Sequence, residues 1–358
     1  MAEYKRLDEL CHINMGQSPD SNSYNANRDG IPFFQGNADF GVMYPVPRLW
    51  CNLPTKIVEP GTLLISVRAP IGALNFAKEK SCIGRGLAGI IPTDDVILKY
   101  IYYCLKGKHK ELNAKGTGST FKAIAKNALG ETSVKVVPIE EQERIVKILD
   151  EVFNVIELRK QQLSELDKLV KARFVEMFGN PVTNSKNMDE LPLIDLGELG
   201  RGVSKHRPRN APELLGGEYP LIQTGDVANA ELYIEDYNTT YSEIGLQQSK
   251  MWKAGTLCIT IAANIAKTAI LKFDACFPDS VVGFNANSKT NNIFMHYWFT
   301  FFQRILEAQA PESAQKNINL KILSELNVIV PPIELQNEFV EFVQQIDKSK
   351  FNGQKLIS

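Results

Sequence analysis

The sequence lacks any run of 18 consecutive apolar residues, and five of its first ten residues are charged. The first absence excludes a membrane-spanning helix, which needs about 20 apolar residues to cross a bilayer. The charged start is unlike a secretory signal, whose centre is apolar. Net charge is −1, from 40 basic and 41 acidic residues. This balance argues against a protein that coats nucleic acid through bulk positive charge.

Cysteine and histidine are too scattered to predict a metal centre or a disulfide framework. The six cysteines include no C-x-x-C pair, and the four histidines form no spaced ligand pair. We therefore expect free thiols in a reducing cytoplasm and no metal or other cofactor in this chain.

Motifs for enzymes that act on DNA are also missing. The sequence has no G-x-x-x-x-G-K-[ST] loop for ATP. The segment 37–40 (NADF) lacks both prolines of the Asn-Pro-Pro-aromatic motif with which adenine methyltransferases hold a flipped base. Tight acidic pairs such as Asp94-Asp95 and Glu140-Glu141 precede or start predicted helices, where negative charge stabilises the helix dipole. The sequence therefore predicts a chain without catalytic activity.

What the chain does contain is a two-fold internal repeat. The segment that begins at Ser133 matches the one that begins at Leu326 at an offset of 194, which also relates residues 61–65 to residues 255–259. One register over more than 80 residues predicts two similar units. A smaller offset nearer the N-terminus predicts an insertion in the second half, between residues 226 and 253. The pairs at this smaller offset of 188 or 189 are Pro32 with Pro220, Gln35 with Gln223, and residues 8–10 with residues 197–199.

Hydrophobic spacing predicts many short strands in each unit, one helix over residues 96–112 and its counterpart over residues 292–308. After Pro138 apolar residues alternate at spacings of four and three, which predicts a heptad seam on a helix of roughly 60 Å. Such a rod needs a partner helix, and the alternative is a surface helix packed on its own domain. The seam residues are Ile145, Leu149, Val152, Ile156, Leu163, Leu166, Val170 and Met177, continued by Phe339, Val343 and Ile346 in the second copy.

The order of these features resembles one known family. A V-x-V-x-P-I-E-x-Q motif spans residues 134–142 and again residues 328–336, where Pro331 occupies the variable position before the proline of the motif. A long helical segment follows each copy. A Gly-Ser/Thr-rich loop, residues 115–122, precedes the first copy. Two globular units arranged in this way resemble the specificity subunit of Type I restriction-modification systems over nearly the whole chain.

The resemblance implies an α+β fold with two pseudo-repeated α/β target recognition domains, joined by long helices that pair as an antiparallel coiled coil. Each domain would read one half of a split double-stranded DNA target. Partners would be two modification subunits, which bind S-adenosylmethionine, and restriction subunits, which use ATP and Mg²⁺. The implied domains are residues 1–137, the helix 138–180, residues 181–330 and the helix 331–358. The second helix is the shorter one, naturally or by truncation, and would weaken the coiled coil.

Local clusters of cations and amides are the candidate DNA contacts, since they neutralise phosphates or read base edges. Solvated charges, a flexible loop and plain ion pairs remain the alternatives. In the first unit the candidates are Arg68, Arg85, Lys108, Lys115, Gly116, Thr117, Ser119, Thr120 and Lys122. In the second unit they are Arg201, Lys205, His206, Arg207, Arg209, Gln315, Lys316 and Asn317.

Two other functions compete with DNA recognition. A repeat scaffold for protein partners would show no DNA affinity when its partners are present. A stand-alone restriction nuclease would cleave DNA with a metal ion and without other subunits.

Overall fold

The computed structural model describes residues 3–118, 122–262, 264–309 and 318–354. The chain divides into two units, residues 1–157 and 158–358. The first unit contains β1 (Glu3–Arg6), α1 (Leu7–Leu10), β2 (Cys11–Met15), β3 (Tyr24–Asn25), β4 (Ile31–Phe34), β5 (Leu49–Cys51), β6 (Ile57–Val58), β7 (Leu63–Ser66), β8 (Leu74–Phe76), β9 (Ser81–Ile83), β10 (Leu87–Pro92), α2 (Leu98–Gly107), α3 (His109–Ala114), α4 (Lys126–Gly130), β11 (Ser133–Val136) and the start of α5 (Ile139–Phe178).

The first unit is built on an antiparallel sheet with the strand order β2-β10-β7-β8. Strand β7 is buried at every position, with Leu63 and Ile65 in one apolar cluster and Leu64 in another. Such continuous burial is typical of a strand that is covered on both faces. The strand ends and the loops that leave them therefore carry the exposed polar side chains.

The second unit repeats this sheet and extends it by one strand, in the order β13-β21-β18-β19-β15. The added edge strand, β15, pairs in parallel with β19 and lies inside the predicted insertion. After the end of α5, this unit contains β12 (Glu190–Pro192), β13 (Gly197–Arg201), β14 (Leu215–Pro220), α6 (Thr224–Asn229), β15 (Tyr233–Ile234), β16 (Thr240–Tyr241), α7 (Glu243–Gln247), β17 (Met251–Trp252), β18 (Leu257–Thr260), β19 (Thr268–Leu271), β20 (Ala275–Cys276), β21 (Val281–Ala286), α8 (Asn292–Gln309), α9 (Leu320–Ser324), β22 (Asn327–Ile329) and α10 (Ile333–Gln354).

Strand pairing corrects the repeat register near the N-terminus. Arg6 pairs with Ser133, and Pro192 pairs with Asn327 at the same place in the second unit. Helix α1 therefore corresponds to the short 3-10 helix Leu193–Leu196, so residues 8–10 do not correspond to residues 197–199. The sequence match had aligned two Glu-Leu dipeptides, whereas the backbone pairing aligns two apolar turns that bury Leu7 and Leu193.

The helix predicted over residues 96–112 is two helices, α2 and α3, which meet at Lys108. The backbone of Lys108 leaves the helical region, at φ −101° and ψ 14°, and its N–H donates to the carbonyl of Leu105. Gly107, a poor helix former, precedes this break. The break turns the chain before the glycine-rich segment that follows Ala114.

Helix α10 pairs antiparallel with the part of α5 that lies in the second unit. The ring of Phe339, early in α10, lies 5.4 Å from that of Phe174, late in α5. Lys350, late in α10, donates a hydrogen bond to Asp167, earlier in α5. Because the contacts advance along one helix as they recede along the other, the two helices run in opposite directions.

The predicted seam describes this pairing only in part. Val170, Met177, Phe339 and Val343 are buried in the core of the second unit, and Ile346 packs against it. Ile145 instead packs on the core of the first unit, so here the alternative of a helix packed on its own domain is correct. Val152 is 50% exposed. The remaining seam residues, Leu149, Ile156, Leu163 and Leu166, are half-buried.

A buried lysine connects the paired helices to the insertion. The Lys350 side chain is 10% exposed and contacts the carboxylates of Asp167 and Glu231, the latter at 3.2 Å. Nearby, the Asp347 carboxylate oxygen Oδ2 is buried without a hydrogen-bond partner among the described residues. Burial, with Glu231 and Asp167 adding, raises the pKa of Asp347 above its usual value against the opposing effect of Lys350.

Replacing Asp347 with asparagine should raise the melting temperature near pH 8. A carboxyl group whose pKa is raised in the folded protein destabilises the fold when it is ionised. This destabilisation disappears as the pH falls below the pKa of the same group in the unfolded chain, about 3.9. Thermal unfolding near pH 8 and near pH 4 should therefore show a gain for the variant only at the higher pH. Glu341→Gln, an exposed site on the same helix, is the control. An equal gain at both values would contradict the assignment.

Candidate nucleic-acid interface

Two arginines of the first unit lie at one edge of the central sheet. Strands β7 and β10 are antiparallel, with Ser66 opposite Leu87, and the N–H of Val67 donates to the carbonyl of Gly86 at 2.9 Å. Arg68 lies just after β7 and Arg85 just before β10, and both are exposed. Within the described ranges, no ion pair involves either of them. This edge therefore presents two guanidinium groups that remain available to an anion or a base edge.

The segment around Thr117 joins the same edge. The N–H of Ala69 donates to the carbonyl of Lys122 at 3.1 Å, and Thr117 exchanges backbone hydrogen bonds of 2.9 Å with Ala123. The space beside Gly116 is small, because a Cβ at this position would lie 2.4 Å from Ile71 Cδ1 and would displace the end of that side chain. Lys122 is exposed and makes no ion pair with any described residue. Ser119 and Thr120, also predicted contacts, lie outside the described residues.

Lys108 and Lys115 are occupied within the protein. Both contact Glu111, with Nζ to carboxylate distances of 2.8 Å and 3.0 Å. Hydrogen bonds from these two lysines lower the pKa of Glu111. Glu111 thus pairs with two of the predicted lysines, whereas Arg68, Arg85 and Lys122 form no ion pair among the described residues.

In the second unit the arginine-rich loop converges on Asp279. Its carboxylate lies 2.5 Å from Arg209 and 3.6 Å from Arg207, and its backbone carbonyl accepts a hydrogen bond from Arg201. Asp279 stands at the repeat position of Arg85. The second unit therefore holds a carboxylate that faces two guanidinium groups, where the first unit holds an exposed cation.

A glutamine holds the backbone of this loop in place. Gln248 Oε1 accepts the N–H groups of Lys205 and His206 at 2.7 Å and 3.1 Å. The side chain of Lys205 is exposed, while His206 Nδ1 lies 3.3 Å from the carbonyl of Pro208. The other predicted contacts of this unit, Gln315, Lys316 and Asn317, lie outside the described residues.

The sequence analysis did not identify Asp279 as a partner of the loop, and it did not include Gln35 or Gln223 among the candidate contacts. Both glutamines are exposed at the ends of corresponding apolar segments. The repeat match of Pro32 and Gln35 with Pro220 and Gln223 was the signal for the glutamines. No comparable pattern predicts that Asp279 contacts the loop, because the two are far apart in sequence and come together only in the folded chain.

Comparison with known proteins decides the family. Residues 2–168 and 186–357 match the family model described as the Type I restriction modification DNA specificity domain. The chain belongs to that family. Each matched copy of the specificity domain contains one sheet-bearing unit and much or all of a long helix, α5 in the first copy and α10 in the second.

Two curated specificity subunits illustrate the relationship. The putative type I restriction enzyme MjaX specificity subunit of Methanocaldococcus jannaschii is 42% identical over 46% of this chain and 39% of its own length. The type I restriction enzyme EcoBI specificity subunit of Escherichia coli is 23% identical over 95% of this chain and 78% of its own length. The chain thus matches well under half of the first relative and about three quarters of the second.

A solved structure agrees with this fold along almost the whole chain. The Type I restriction-modification S subunit of M. genitalium is 16% identical, with a TM-score of 0.59 over 99% of this chain and 91% of that one. The likeness shows a shared specificity-subunit fold.

Side-chain geometry adds three observations on other kinds of site. All six cysteines are free thiols, as expected from the sequence. Within the described ranges, no group of three or more His, Cys, Asp or Glu side chains surrounds a possible metal position. None of the helices in those ranges is both long and apolar enough to cross a membrane.

Proposed function

We propose that this chain is the sequence-recognition subunit of a Type I restriction-modification complex and catalyses nothing itself. Each unit contacts one half of a bipartite DNA target. Two modification subunits that bind S-adenosylmethionine, and restriction subunits that use ATP and Mg²⁺, complete the assembly. One observation carries the proposal: a duplicated sheet, in a family named for DNA specificity, that places polar and cationic side chains at the same edge in both copies.

The charge distribution supports this assignment. The net charge of −1 gives no general attraction to DNA. Arg68, Arg85 and Lys122 nevertheless concentrate positive charge at one edge of the first unit. Local charge of this kind neutralises a few phosphates and holds the protein in register, while base contacts specify the sequence.

Replacing Lys122 with alanine should weaken binding of the assembled complex to all DNA sequences. If Lys122 neutralises one phosphate, the slope of log K against log salt concentration should fall in magnitude by about 1. Lys108→Ala is the matched control, because the Lys108 ammonium group is bonded to Glu111 and should leave the slope unchanged. Titrations by fluorescence anisotropy at several salt concentrations measure both. Equal slopes for Lys122→Ala and the unmodified complex would contradict the phosphate contact.

Methylome sequencing tests the proposed function directly. A host that carries this gene and its neighbouring modification gene should contain methylated adenines in a split motif, which disappears when this gene alone is deleted. Unchanged methylation would overturn the proposal. A scaffold without DNA contacts would leave the motif unchanged when residues 1–137 are exchanged for those of a relative, whereas a sequence reader would change one half. Metal-dependent cleavage by the purified chain would instead support a nuclease.

A further inference from the structure

Gln35 and Gln223 occupy equivalent places in the two units. Gln35 follows β4, in which Phe33 pairs in parallel with Cys82. Gln223 follows a short segment in which Leu221 forms a parallel bridge with Cys276. The sequence repeat relates the same residues. Each glutamine thus lies two residues after a residue that pairs in parallel with the equivalent cysteine of its unit.

A carboxylate fixes the backbone of each glutamine. The N–H of Gln35 donates to Asp39 Oδ2 at 3.0 Å, and Asp39 is held in turn by Arg48. The N–H of Gln223 donates to Asp226 Oδ2 at 2.8 Å. Both side chains nevertheless remain exposed. A fixed backbone with an exposed amide suits recognition, because less conformational freedom is lost on binding.

The surroundings place Gln35 beside the arginine of the same edge. Gly86 is required next to it, since a Cβ there would lie 2.2 Å from the carbonyl oxygen of Gln35. A Cβ at Gly84 would likewise lie close to this backbone, 3.2 Å from the Cα of Gln35. Arg85 lies between these two glycines. An exposed glutamine and an exposed arginine therefore lie on adjacent backbone segments of the first unit.

In the second unit the corresponding position is a cavity of about 250 Å³. Gln223 lines it together with Ser204, Arg209, Thr224, Tyr241 and Ser280, and Ser280 stands where the first unit has Gly86. Ser204 is only 7% exposed, and its hydroxyl oxygen is buried without a hydrogen-bond partner in the described part of the chain. A buried hydroxyl without a protein partner leaves a hydrogen-bonding position open to a polar group that enters this cavity.

The chemistry of an amide favours a base edge over a phosphate. A glutamine side chain offers one acceptor and two donors, which match N6 and N7 of adenine in the major groove. A phosphate would accept only from the NH₂ group and would face the carbonyl oxygen unfavourably. Arginine, present beside both glutamines, is the residue that clamps guanine or a phosphate.

We propose that Gln35 and Gln223 are equivalent specificity-determining residues, each reading one adenine-containing base pair in its own half of the target. This inference rests on the proposed function and adds to it the residue and the base that each unit reads. The two variants should consequently have separate effects, one on each half of the methylated motif.

The test is methylome sequencing of hosts carrying the complete complex with Gln35→Ala, with Gln223→Ala or with Gln247→Ala, an exposed glutamine on α7. Gln35→Ala should relax one adenine position in one half by about 10- to 100-fold in discrimination, and Gln223→Ala should do so in the other half. The Gln247 variant should keep the original motif.

Two outcomes of methylome sequencing would overturn the inference. An unchanged motif in both variants would show that neither residue reads a base, and weaker methylation of an unchanged motif would indicate a backbone contact. If an alanine variant loses all methylation, DNA selection with the purified complex of Gln35→Glu or Gln223→Glu decides instead. Glutamate should favour cytosine at the position that the glutamine reads. Selection of the original motif, or of no motif, would overturn the inference. Absence of a split motif in the unmodified host would instead contradict the proposed function.

Discussion

Replacing Phe174 with alanine is expected to lower the free energy of unfolding of the second unit by about 4 kcal/mol. Phe174 is fully buried where three helices meet. Its ring stacks at 5.4 Å on Phe294 and at 5.1 Å on Phe301, both in α8, and meets Phe339 of α10 edge-on. Truncation would remove these contacts and leave a cavity that the helix backbones cannot fill.

Urea unfolding followed by tryptophan fluorescence measures this loss. Two of the three tryptophans, Trp252 and Trp298, lie in the second unit, so a Trp50→Phe background restricts the signal to it. Leu169→Ala is the control on the same helix, because Leu169 is 48% exposed, and it should cost about 0.5 kcal/mol or less. A loss below about 1 kcal/mol for Phe174→Ala would show that the aromatic cluster does not hold α5 against α10.

The repeat made much of the fold predictable from sequence. Strands β4 and β10 coincide with the apolar runs of residues 31–34 and 87–92, which glycine and polar residues bound. The predicted helix 138–180 agrees with α5 to within two residues at each end. Heptad spacing did not predict which residues of α5 pack on the core of the first unit and which pack on the core of the second. Ile145 fits the seam as well as Val170 does, but only Val170 packs in the core of the second unit.

Some of the ion pairs at the candidate interface were predictable from the spacing of charged residues. Lys108 and Lys115 stand three residues before and four residues after Glu111, spacings that bring side chains together on helices. Their pairing was therefore predictable. The pairing of Arg207 and Arg209 with Asp279 was not, because more than 65 residues separate the partners in sequence. Charge density alone did not indicate which of these cations form ion pairs within the protein.

The last residue of the V-x-V-x-P-I-E-x-Q motif explains why this motif precedes both long helices. Gln142 is fully buried, donates to the carbonyl of Val137 at 2.9 Å and accepts from the N–H of Ile97 at 2.9 Å. Gln336 donates to Pro331 and Lys289 and accepts from Thr290 in the second unit. Each amide thus ties the start of a long helix to the segment that precedes α2 in the first unit and α8 in the second.

Methionine in place of either buried glutamine should therefore destabilise its unit by about 3 kcal/mol, because similar volume is kept while several buried carbonyl and N–H groups lose their partners. Urea unfolding measures the loss, with Gln345→Met, an exposed site on α10, as the control that should change little. Hydrogen exchange adds a test of location: the amide of Ile97 should lose protection in Gln142→Met and keep it in Gln336→Met. If both variants unfolded at the urea concentration of the original protein, the motif glutamine would not connect helix and sheet, and its presence in both copies would need another explanation.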